Sequence, residues 1–231
     1  MNLGQILDYV NFILNKHQSG NTLNADEFNL CLQYANVEYF RVLVGLPEQY
    51  QPGVAIPKIA AEQTEKIASA LRLVNVWLGA PGTTQLPTQK GLAKLPTDYV
   101  QYTGIMYQNP KGEYKQVEVL GDQFIADRLQ SKLKAPSLKY PIAHIYGSHI
   151  LIYPNTISKV HFKYYRLPIK PFYAVTVQDD VEVYDPSKST QLEWPEVEIN
   201  NIVPFILEYA ASNLRDGFTY QNAVRRQLTG Q

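Results

Sequence analysis

The chain has 231 residues, 45% hydrophobic and 18% charged, enough to bury a sizeable core and too apolar for wholesale disorder. Its 21 Lys and Arg balance 21 Asp and Glu, so the charge cancels over the chain as a whole. The longest apolar runs, 150–153 and 202–207, fall far short of the ~20 residues of a membrane span, and the opening MNLGQILDYVNFILNK lacks the basic region and small-residue cleavage site of a secretory signal. A protein made and used in a cytoplasm is expected.

Ile6, Leu7, Val10, Ile13 and Leu14 recur at helical spacing and predict an amphipathic helix over 3–14. After the turn HQSGNTLN, Asn24 and Glu27 have the spacing of an N-cap with a returning carboxylate, and a second helix follows over 28–44. These two helices are expected to form a hairpin. A calcium loop ending at Glu27 would put Lys16, Gln18 and Gly20 where acidic ligands belong, so the chemistry fails. Cys31, the one cysteine, shares an apolar stripe with Phe28, Leu32 and Ala35 and is expected to be a buried, small hydrophobe. A Pro- and Gly-rich loop over 46–57 precedes a third predicted helix at 60–78, with Ile67, Leu71, Val74 and Leu78 as its apolar positions.

GAPGTTQLP breaks the helical pattern, and from residue 94 the sequence becomes β-rich. Strands at 99–107 and 115–120 flank a longer turn, and a short helix at 122–132 carries Phe124, Ile125 and Leu129. Further strands are predicted at 142–146, 150–153 and 159–167, the first two joined by a tight Gly147-Ser148 turn. In the last, Val160, Phe162 and Tyr164 alternate with His161, Lys163 and Tyr165, which predicts one apolar face and one cationic, phenolic outer face. After Pro168 and Pro171, residues 172–192 read as an extended arm or edge hairpin. A closing helix should open at Trp194-Pro195, with Glu196 and Glu198 complementing its dipole and Pro204 kinking it, followed by a short helix at 220–228. The expected class is α+β: a helical region over 1–80, an antiparallel β region with one short helix and an arm over 94–192, and C-terminal helices over 193–231 that pack with the N-terminal ones.

Charge is unevenly spread. Residues 111–170 hold ten Lys or Arg against four Asp or Glu, whereas 171–208 hold one against eight. Such segments pair within one molecule, or between neighbours packed head to tail. Phosphate-binding Gly loops, dinucleotide fingerprints and nucleophile elbows are missing from the sequence. His144, His149 and His161 lie on neighbouring predicted strands without a carboxylate or cysteine near them in sequence, so surface or hydrogen-bonded roles are expected, with no metal or cofactor. The Asp179-Asp180 pair fits a solvated loop. Lys132, Lys134, Lys139, Lys163, Arg166 and Lys170 interleave with Tyr140, Tyr164 and Tyr165, residue types that contact phosphates and stack on bases, yet they match no nucleic-acid-binding motif.

The succession LPTDYVQYTGIMY, YPIAHIYGSHILIYP, VHFKYYRLPIKP and LEWPEVEINNIVPFILEYAASNL resembles the head-to-tail adaptors of tailed bacteriophages, especially the tail tubular A or gatekeeper type of short-tailed phages. VNFILNKHQSGNTLNADEFNLCLQYANVEYFRVLVG is similar to the start of structural proteins from crAss-like phages of gut Bacteroidetes. The resemblance implies no enzyme, but a homo-oligomeric ring of about twelve copies at the head-tail junction of a virion, assembled in the host cytoplasm. Its partners would be the portal protein and further tail or adaptor proteins, with DNA passing through the channel and no membrane involved. A tail-completion or minor capsid protein is the alternative, and a nucleic-acid-binding module a further one. Candidate interface residues are Tyr164, Tyr165, Arg166 and Pro168 at a corner, Phe172, Tyr173, Asp179, Asp180 and Tyr184 in the arm, and Trp194. Lys132, Lys134, Lys139, Lys163 and Lys170 are candidates for channel or nucleic-acid contact.

Overall fold

A computed structural model of the chain describes residues 1–14, 23–45, 67–109, 111–179, 181–213, 221 and 224–225. The fold is α+β, and the chain divides into two compact units, one of residues 1–73 with 168–231 and one of residues 74–167. Residues 168–192, the expected arm 172–192 among them, fall in the same unit as the helices. Among the described residues no helix is long and apolar enough to cross a membrane.

In the helical unit, α1 (Leu3–Ile13) and α2 (Ala25–Val44) each open on a full capping box, Asn2 with Gln5 and Asn24 with Glu27. Each box satisfies two backbone donors that the first turn leaves without partners. Instead of closing mainly on each other as a hairpin, both helices pack on α4 (Glu196–Asn213), α2 most extensively. The reason is the stripe geometry: Leu3, Ile6 and Val10 of α1, Phe28, Leu32 and Ala35 of α2, and Ile199, Ile202, Ile206 and Ala210 of α4 are all buried. Helix α4 runs through Pro204, whose missing N–H removes one helical bond. Cys31 is buried, and burial first, with the Glu27 carboxylate adding to it, pushes its thiol up to about 11. Of the predicted helix at 220–228 only residues 221, 224 and 225 are described, and all three are helical.

The third predicted helix needs correction. Its start at 60–66 lies outside the described residues; 67–70 are helical and Leu71–Leu73 form a 3₁₀ turn, but Asn75–Leu78 is a strand, β1. Leu71 and Val74 are buried as a helical period requires. Beyond them Val76 and Leu78 alternate with Asn75 and Trp77, and antiparallel pairing with a central strand supplies hydrogen bonds that decide for the period of two.

The β unit is built on two sheets around one core. In the first, β9 (Lys159–Arg166) is central, flanked on one side by β1 and β2 (Leu86–Pro87) and on the other by β4 (Tyr99–Gln108), which also pairs with β5 (Tyr114–Gln116). Two register shifts in β4, between Tyr99 and Gln101 and between Tyr102 and Gly104, fit its eight residues 99–106 to the six residues 161–166 of β9. The second sheet runs β3 (Leu92–Lys94), β8 (His149–Tyr153), β7 (Ile142–Tyr146) and β6 (Glu118–Val119). The β6–β7 pairing is parallel, so the region is not wholly antiparallel as expected. Gly147, at φ +53°, takes the left-handed conformation that the two-residue turn between β7 and β8 requires. Ile105, Ile150, Ile152, Val160, Phe162 and Tyr164, drawn from both sheets, fill the shared core. The helix α3 (Asp122–Gln130) follows β6 and buries none of its side chains.

Candidate functional site: an anchored hairpin and an uncovered basic surface

The arm is fastened to its own helices by a stripe of amides on α2. Asn29, Gln33 and Asn36 stand at i, i+4 and i+7, one face of the helix. Asn29 Nδ2 donates to the Tyr173 carbonyl at 2.9 Å while its Oδ1 accepts from the Tyr173 amide at 2.7 Å. Gln33 donates to the Pro171 carbonyl at 3.4 Å and Asn36 to the Ile169 carbonyl at 3.2 Å. The match is geometric: seven helical residues climb about 10 Å, and four extended residues span about 12–13 Å. Pro171 has no N–H, so one amide partner completes it. Asn36 Oδ1 also accepts from the Trp194 indole at 2.7 Å, and Trp194 meets Tyr39 edge-on at 5.2 Å.

Anchoring removes several expected interface residues from the surface. Tyr173 and Trp194 are buried, Tyr173 edge-on against Phe28 at 5.4 Å, because their backbone or indole groups are held by α2. Pro168 is buried as well. Tyr164 is a core residue of the β unit: it stacks on Phe162 at 5.3 Å and donates to Asp98 at 3.0 Å. Burial first and then the Asp98 carboxylate push its phenol up to about 12. Tyr165 and Arg166 are half-buried, and Arg166 Nη1 donates to the Leu167 carbonyl at 3.0 Å. The corner expected as an anchor for a neighbour is thus largely internal to its subunit. Tyr39 and Glu198, both buried, share a hydrogen bond, and Asn201 donates to the same carboxylate at 2.8 Å. Glu198 is therefore more than a partner of the helix dipole.

What the arm does expose is its tip. Strands β10 (Val175–Gln178) and β11 (Val181–Tyr184) pair antiparallel. Val175, Val177, Glu182 and Tyr184 share one face, and Tyr184 on that face stacks on Tyr173 at 4.8 Å. Thr176, Gln178, Val181 and Val183 share the other. Val177 and Val181 are 69% and 61% exposed, and Asp179 and Glu182 are exposed beside them. Asp180 lies outside the described residues. Phe172 is exposed while its backbone bridges Thr190.

The cationic residues of the β unit separate into two groups. Lys163 is half-buried and lies over the Trp77 ring at 4.1 Å, on the outer face of the β1–β9 pair as the alternation predicts. Lys132, Lys134 and Lys139 are exposed in the segment after α3, with Lys139 over Tyr140 at 5.2 Å. Lys170 is exposed too, but in the helical unit. Around Lys132–Lys139 lie Phe124, Leu129 and Leu138, all exposed, with Leu133 at 98% and Tyr140 at 62%.

The histidines do not converge. His144 is buried, with Nδ1 at 3.1 Å from the Leu120 carbonyl and Nε2 at 3.2 Å from Asp122, a carboxylate that sequence distance had hidden. His161, expected on the outer face, is buried against Gln85 at 2.7 Å, and Tyr114 meets it edge-on. Among the described residues no three His, Cys, Asp or Glu side chains group as metal ligands would. The amide stripe and the exposed leucines after α3 were both missed in sequence; the available signal was three amides at i, i+4, i+7 bordering an apolar stripe. No protein-family model matches the chain, and no curated protein matches it.

Proposed function

We propose that the chain is a virion structural subunit that forms a ring, of about twelve copies, joining the portal of the capsid to the tail of a short-tailed, crAss-like phage, with DNA passing through the ring. The observation that carries the reading is the charge of the two compact units. The β unit holds eleven Lys and Arg against five Asp and Glu, a balance of +6, and the helical unit the remaining ten against sixteen, a balance of −6. A neutral chain made of two oppositely charged bodies favours head-to-tail packing of identical copies. The sequence resemblance to phage adaptors supplies the biological setting: the head-tail junction, with assembly in the host cytoplasm. An acidic, apolar hairpin held rigidly at its root suits a structural role, and the reading assigns the chain no catalysis.

The test is co-assembly. The full chain is mixed with the cognate portal and, separately, with tail components, and each mixture is resolved by size-exclusion chromatography. The reading expects a stable complex with the portal that weakens as salt rises, because the steering charges are exposed. Retention by tail components alone would place the chain among tail-completion or minor capsid proteins instead.

A further inference from the structure

We infer that the β10–β11 hairpin of one copy docks on the surface formed by α3 and residues 131–140 of a second copy. The inference rests on the proposal that copies assemble, and it fixes which surfaces meet.

The two surfaces match in both apolar and charged character. Helix α3 is amphipathic in sequence, yet only Ile125 and Arg128 are as much as half-buried, and Phe124, Leu129, Leu133 and Leu138 stand exposed along it and the segment that follows. Exposed apolar groups at this density mark an interaction surface more often than a solvated one. From residue 128 to 140 there are four cations and no acid; Arg128 is held by Glu118 at 2.8 Å, and Lys132, Lys134 and Lys139 form no ion pair among the described residues. The hairpin is the reverse image. Val181 and Val183 are exposed on one face and Val177 and Glu182 on the other, Asp179 lies at the turn between them, and residues 172–184 contain no Lys or Arg. One amphipathic anionic ridge and one amphipathic cationic surface on the same chain make a heterologous contact, which each added copy repeats. Among the described residues no further strand pairs with the outer edges of β10 and β11, so the ridge also offers backbone groups for pairing. Anchoring of the hairpin root by Asn29 fixes its backbone in advance, which lowers the ordering cost of docking.

Mixed cross-linking of the full chain tests this. Val181→Cys and Leu133→Cys are made separately, both at exposed positions, and Cys31 stays inert because it is buried. Under mild oxidation the mixture should yield a disulfide-linked dimer that neither variant yields alone. In parallel, Lys132→Glu/Lys134→Glu and Asp179→Lys/Glu182→Lys should each weaken self-association roughly tenfold or more by sedimentation velocity, and mixing the two should restore most of it. Wild-type oligomers that ignore both reversals, with no mixed disulfide, overturn this contact and leave the ring proposal standing. A wild-type chain that stays monomeric and ignores the portal overturns both. Duplex DNA binding that Lys132→Glu/Lys134→Glu abolishes, again with no mixed disulfide, assigns the surface to nucleic acid and overturns the contact.

Discussion

Replacing Asn29 with alanine should be among the most damaging polar substitutions in the helical unit. Its side chain forms two short, buried hydrogen bonds to one residue, donating to the Tyr173 carbonyl at 2.9 Å and accepting from its amide at 2.7 Å. Alanine leaves both backbone groups buried without partners, and each such group costs about 1–3 kcal/mol, so a loss of about 2–4 kcal/mol is expected once partial relaxation is allowed. That is a large share of the roughly 5–15 kcal/mol that holds a typical domain folded. Urea unfolding followed by tryptophan fluorescence measures it. Trp194 is buried in the helical unit and Trp77 lies in the β unit, so a Trp77→Phe background isolates the relevant signal. Gln33→Ala is the internal comparison: its 3.4 Å bond is long and partly exposed, and a loss below about 1 kcal/mol is expected. Equal effects at both positions, or an Asn29→Ala protein within about 0.5 kcal/mol of the parent, would refute the idea that the amide stripe anchors the arm.

Asn24→Ala should remove the cap of α2 and cost about 1 kcal/mol in the same assay, with Glu27→Ala costing less because the bond it removes is the longer one of the box, 3.2 Å against 2.7 Å. Gly91 sits at φ +82°, and a Cβ there would lie 2.5 Å from the Ile152 carbonyl oxygen, so Gly91→Ala should destabilise the β unit by about 2 kcal/mol or more; an unchanged thermal midpoint would argue against this turn geometry. Because the folded state holds the Tyr164 proton that the unfolded chain gives up near its ordinary 10.0, this group's contribution is full below that pH and lost as pH rises through about 12. Tyr164→Phe should therefore flatten part of the alkaline loss of stability, and an identical alkaline limb in both proteins would contradict the Tyr164–Asp98 assignment.

Features whose cause lies within a few residues were legible in the sequence. The Asn24–Glu27 box, the Gly147-Ser148 turn and the alternation of Val160, Phe162 and Tyr164 needed only local spacing. Strand β1 was not legible, since residues 67, 71, 74 and 78 satisfy a helical period and only pairing with β9, more than eighty residues on, reverses the choice at Asn75. The arm illustrates the same limit at the level of the site. Its composition showed an extended, acidic hairpin, but the groups that anchor its root are backbone atoms 133–144 residues from the amides that bind them. Aromatic content therefore pointed to Tyr173 and Trp194 as outward-facing, when hydrogen bonding turns both inward and leaves valines and acids at the tip.

The central claim, that identical copies close into a ring that caps a portal, is tested most directly by negative-stain imaging of the purified full chain alone and mixed with its cognate portal. Closed rings, or a collar added coaxially to the portal, are the expected result. Monomeric particles in both samples, with portal images unchanged, would contradict it.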